Sequence, residues 1–82
     1  MKKREKYLEL LRNSSKNIRF KDLLNIVDEF GFYMTGSPKG SHHVFLHDLV
    51  DDAILNLQPD KNGKAKSYQV RQLLKLIDEY KL

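Results

Sequence analysis

The sequence predicts a two-layer α+β sandwich, with helices against one face of a three-stranded antiparallel sheet and an extra helix at the N-terminus. Two segments, Phe20 to Val27 and Val70 to Ile77, repeat apolar residues at helical spacing. Three short strand-like runs lie between them, and turn-forming residues stand at the junctions.

The elements are expected in this order. Residues 2 to 12 read as a short helix with Tyr7, Leu8 and Leu11 on one face, and Asn13-Ser14-Ser15-Lys16-Asn17 as a polar break. Residues 20 to 30 form a helix whose stripe is Phe20, Leu23, Leu24 and Val27, stopped by Gly31. Phe32 to Thr35 is a first strand, Gly36 to Gly40 a loop, and Ser41 to His47 a second strand. After a polar turn over 48–52, Ala53 to Gln58 is a third strand with Ala53, Leu55 and Leu57 on one face. Pro59 to Lys66 is a basic loop containing the turn dipeptide Asn62-Gly63. Ser67 is expected to N-cap a last helix with Val70, Leu73, Leu74 and Ile77 as its stripe. The chain reads as one domain over 1–82, a helical extension at 1–17 and a core at 18–82.

Eighty-two residues leave little room for a deep pocket, so a shallow site suited to a polymer is expected. There is no cysteine, which removes disulfides, thiolate catalysis and cysteine-based zinc sites. No run has the roughly 18 apolar residues of a membrane span, and no apolar signal core follows the basic N-terminus, so a soluble, cytoplasmic protein is expected. P-loop, dinucleotide, nucleophile-elbow and zinc-protease signatures are absent. Asp48, Asp51 and Asp52 read as turn and surface acids.

The net charge is +4, and its distribution says more than its size: Lys61, Lys64, Lys66, Arg71 and Lys75 stand against the single acid Asp60 between Pro59 and Lys75. This stretch is either a solvated loop or a phosphate track. Phe20, Phe30, Phe32 and Phe45 read as core, and Tyr68 as a packing residue in preference to an RNA contact.

All three histidines, His42, His43 and His47, fall within six residues. Strand alternation puts His43, Phe45 and His47 on one face and His42, Val44 and Leu46 on the other. If Phe45 anchors the core, His42 stands on the open face. His43 and His47 would be roughly 13 Å apart on an extended strand, too far to share a zinc ion, so no metal site is expected. Against a bland role as surface or cap residues stands general acid–base chemistry. A histidine takes and gives protons near neutral pH, and RNA supplies its own nucleophile, the 2′-hydroxyl. His42 behind a Gly-rich loop, with Lys39 for phosphate and Gly40 allowing close approach, has the parts for metal-free cleavage.

The runs Phe20-Lys21-Asp22-Leu23-Leu24, Glu29-Phe30-Gly31-Phe32 and Lys39-Gly40-Ser41-His42-His43-Val44-Phe45 resemble the HicA toxins of bacterial toxin–antitoxin pairs. Leu55-Asn56-Leu57-Gln58-Pro59, Gly63-Lys64-Ala65-Lys66 and Tyr68-Gln69-Val70-Arg71-Gln72 resemble one branch of that family. The resemblance covers residues 18 to 82. It implies a fold like the double-stranded RNA-binding domain, a ribonuclease that cuts messenger RNA and stops translation, and a HicB-type antitoxin that covers the active surface. The essential histidine after the Gly-Ser pair falls on His42. Two departures stand out: Ser67 replaces a proline common before the last helix, and residues 1–17 exceed the compact toxins.

The expected function is therefore a metal-independent endoribonuclease without cofactor. His42 is its catalytic residue, Lys39, Lys64, Lys66 and Arg71 hold phosphates, and Gly40 and Ser41 shape the approach. The alternatives are a non-catalytic RNA-binding module of the same fold and a protein–protein adaptor.

Overall fold

The computed structural model describes residues 2–37, 40 and 42–82. Three helices, α1 (Lys3–Asn13), α2 (Phe20–Glu29) and α3 (Ser67–Tyr80), accompany three strands, β1 (Phe32–Met34), β2 (His43–His47) and β3 (Leu55–Leu57). The strands form one antiparallel sheet in the order β1-β2-β3. Phe32 pairs with His47 and Met34 with Phe45; His43 pairs with Leu57 and Phe45 with Leu55.

The expected α+β architecture is present, and the core explains its layering. Phe32, Phe45, Leu55 and Leu57 turn into the same buried cluster as Leu23, Ile26 and Val27 of α2 and Val70, Leu73 and Ile77 of α3. The alternate strand residues Tyr33, Val44 and Asn56 are exposed, as is Ile54 just before β3, so the helices cover one face of the sheet and leave the other open. The four phenylalanines are all buried, as expected. Ala53 is buried with Leu55 and Leu57, but its N–H closes a turn onto the Val50 carbonyl at 3.2 Å, so β3 is shorter than the expected 53–58.

The N-terminal helix is part of the fold. Leu11 is 1% exposed within the main core, and α1 packs along α3, where Arg12 pairs with Asp78 at 2.9 Å. Arg4 donates to the Glu29 carbonyl at 3.1 Å and lies over the Phe30 ring, tying α1 to the end of α2 as well.

One local expectation is corrected. Ser67 does not cap α3: it is the first helical residue, Lys66 holds the cap position, and no side chain caps the helix. The chain stays extended through Lys66, whose carbonyl accepts from the N–H groups of Gln69 and Val70 at 3.0 and 3.1 Å. The helix therefore begins one residue earlier than a Ser67 cap allows.

Candidate functional site

The end of the sheet where β2 begins gathers three otherwise separate segments. Ala65 N–H donates to the Ile18 carbonyl at 2.7 Å, and Phe20 N–H to the Gly63 carbonyl at 3.0 Å. Isolated bridges join Arg19 to Lys64 and Pro59 to Ala65. These bonds stitch the 59–66 loop across the start of α2. From the strand side, the His43 ring meets the Phe20 ring edge-on, with centroids 5.0 Å apart. The start of β2, the start of α2 and the basic loop are thus neighbours.

His42 lies immediately before β2 in a single bridge and is exposed, as alternation from Phe45 requires. His43, one residue on, is half-buried against Phe20. Gly40 has a φ of +62° with open space where a side chain would project, so a partner's backbone can approach closely there. Lys39 and Ser41, also expected at this site, lie outside the described residues.

His47 is a different kind of residue from His42, and neither a surface nor an end-capping histidine. It is 6% exposed. Its Nε2 is 2.7 Å from the Phe30 carbonyl oxygen, which can only accept, while its Nδ1 accepts from Leu49 N–H at 3.0 Å. The two bonds select the tautomer with hydrogen on Nε2 and occupy both nitrogens. The ring also packs edge-on against Phe32. Among the described residues no group of three or more His, Cys, Asp or Glu side chains is placed to hold a metal ion.

The basic residues divide. Lys64 is exposed and lines a cleft with Arg19, Phe20, Lys21, Pro59 and Asn62. Lys66 donates to Gln58 Oε1 at 3.3 Å, and Gln58 N–H donates to Gln69 Oε1 at 3.0 Å, so Lys66 and Gln69 tie the end of β3 to the start of α3. Arg71 lies elsewhere, in a groove along α3 with Leu74, Lys75, Asp78 and Glu79, where both signs of charge mix. Tyr68, read from sequence as a packing residue, is 56% exposed beside this loop.

Asp60, the one acid of the stretch, serves its own loop. Its Oδ1 accepts from the N–H groups of Asn62 at 2.8 Å and Lys64 at 2.9 Å. The Lys64 amide first, then the Asn62 amide and the charges of Lys64 and Lys66, hold its carboxyl below the ordinary carboxylate value, partly opposed by desolvation.

Sequence reasoning missed Arg19 and Lys21. The signal was present, two cations flanking the first residue of α2, but only the pairing of residue 19 with residue 64 makes it part of the loop's surface. No described helix is long and apolar enough to cross a membrane. The chain matches no family model, no curated protein and no solved structure.

Proposed function

We propose that this protein is a HicA-type toxin, a metal-independent endoribonuclease that cuts messenger RNA in the cytoplasm, inhibits translation and is neutralised by a HicB-type antitoxin. We read the helix, three strands and helix that follow α1 as a fold of the double-stranded RNA-binding kind. The observation that carries the proposal is the exposed position of His42 at the end of the sheet where the basic loop and the start of α2 meet. The open sheet face, with Tyr33, Val44 and Ile54 exposed, offers the apolar surface that a neutralising protein would cover.

The chemistry asks little of the protein. The 2′-oxygen of one nucleotide attacks the adjacent phosphorus and loses its proton; the bond to the 5′-oxygen of the next nucleotide breaks, and that oxygen gains a proton. The products are a 2′,3′-cyclic phosphate and a free 5′-hydroxyl. His42 accepts the first proton or delivers the second. Lys64 holds phosphate charge, Lys39 and Lys66 add to it, and Gly40 and Ser41 let the strand approach, while Arg71, in its groove along α3, takes no part.

The test is incubation of the purified chain with RNA in the presence of a chelator. Wild type is expected to release fragments ending in cyclic phosphate, and His42→Ala to cut at least about 100-fold more slowly with unchanged melting temperature. Equal cutting by His42→Ala would remove the catalytic assignment. Salt-dependent binding without fragments would mark an RNA-binding module instead.

A further inference from the structure

We infer that Arg19 and Lys21 extend the phosphate grip of Lys64 into a site for a nucleic-acid strand, in the cleft between the start of α2 and the 59–66 loop; the inference rests on the RNA-cutting reading and adds to it where the strand is held.

Three observations carry it. First, the three cations line one cleft and no acid lines it with them. Their side chains make no ion pair among the described residues, in contrast to Arg12, which is paired with Asp78. Second, the cleft is built. The bonds from Phe20 to Gly63 and from Ala65 to Ile18 hold its two walls together from opposite sides of the Arg19–Lys64 bridge. Asp60 feels the Lys64 charge, but its Oδ1 accepts from the amides of Asn62 and Lys64, and it does not line the cleft. Asp22, in the first turn of α2, is the nearest acid in sequence and does not line the cleft.

Third, the cleft adjoins His42. Phe20, in its wall, meets the His43 ring, and His43 follows His42. His42 faces the opposite side of the sheet from that ring, but only one strand's backbone separates the two sides there. A polymer crossing the end of the sheet would pass both the cleft and His42. Arg71, in its mixed-charge groove along α3, stands off this route. A row of cations on a rigid, shallow wall recognises repeated phosphates without reading bases, which suits a phosphodiester strand.

The experiment measures binding of a single-stranded 2′-O-methyl RNA oligonucleotide, which internal attack cannot cut, to the full chain over a series of salt concentrations. The Arg19→Ala/Lys21→Ala pair is compared with Lys2→Ala/Lys3→Ala, which removes the same charge from the exposed start of α1. The cleft pair is expected to bind about tenfold more weakly and to flatten the log–log salt slope by about 0.7 for each phosphate no longer neutralised. The α1 pair should change both far less, and Lys64→Gln, which removes one charge, should weaken binding about threefold with an unaltered melting temperature. Equal weakening by the two pairs would overturn the site, leaving only net charge at work. Polyglutamate competing as well as the oligonucleotide, charge for charge, would also overturn it, in favour of an acidic protein ligand. The RNA-cutting reading fails separately, if unmodified RNA stays whole while the cleft pair still weakens binding; a wild-type chain that binds no oligonucleotide removes both.

Discussion

Gly31 and His47 are packed so closely that a single added carbon on Gly31 would lie 2.6 Å from His47 Nε2. Gly31 also has a φ of +92°, and its carbonyl accepts from Asp48 N–H at 3.0 Å, just beyond the end of β2. The glycine that stops α2 thus also makes room for the ring that holds the second strand in place. Gly31→Ala therefore meets both backbone strain and overpacking and is expected to cost about 2–4 kcal/mol. Gly36 and Gly63 have positive φ but open space, so alanine there should cost about 1 kcal/mol each. Thermal melts of the three variants check the ordering; equal destabilisation would mean that the His47 contact contributes nothing.

His47 is expected to act through folding and His42 through chemistry. His47→Phe leaves the Phe30 carbonyl and the Leu49 N–H without their partner and should cost about 2–4 kcal/mol. His42→Ala, at an exposed position, should change stability by less than about 0.5 kcal/mol. Denaturant titrations separate the two, and nitrogen chemical shifts of His47 should report hydrogen on Nε2.

The contrast between these histidines also marks how far the sequence can be read. Alternation along β2 is a local property, and it places Phe45 and His47 inward and His42 outward. The helix stripes, with Gly31 as a stop, are legible for the same reason. What alternation cannot supply is the partner of an inward polar group. The Phe30 carbonyl is 17 residues from His47, and only the pairing of β1 with β2, with Phe32 opposite His47, brings it within reach. The Arg19–Lys64 cleft is hidden likewise, because a bridge across 45 residues leaves no trace in spacing. Ser67 misleads for a smaller reason: the residue type favours a cap, but the extended path fixed by Ala65 and Lys66 starts the helix one residue sooner.

The N-terminal helix is expected to be needed for stability. Leu11 lies wholly inside the core, so Leu11→Ala should cost about 2–4 kcal/mol. Arg12→Ala breaks an ion pair whose side chains are about half exposed and should cost less than about 1 kcal/mol. Leu49→Ala, at a residue 88% exposed, provides the control and should be close to neutral. Melting temperatures in that order would place α1 within the cooperative unit; a silent Leu11→Ala would show that it melts independently.

The 59–66 loop should carry its own dependence on pH through Asp60. The folded carboxyl titrates below the ordinary value, chiefly because the Lys64 amide donates to the charged form. A depressed folded pKa means that the stabilisation is fully present above the unfolded value, near pH ~4, and is lost as pH falls through the folded value. Hydrogen exchange at the amides of Asn62 and Lys64, corrected for its intrinsic dependence on pH, should show constant protection from neutrality down to about pH 4 and declining protection below it. Asp60→Ala should remove that protection at every pH. Asp60→Asn, whose side-chain carbonyl still accepts but carries no charge, should keep part of it and lose the acid transition. An acid transition that persists in Asp60→Asn would assign the effect to another group.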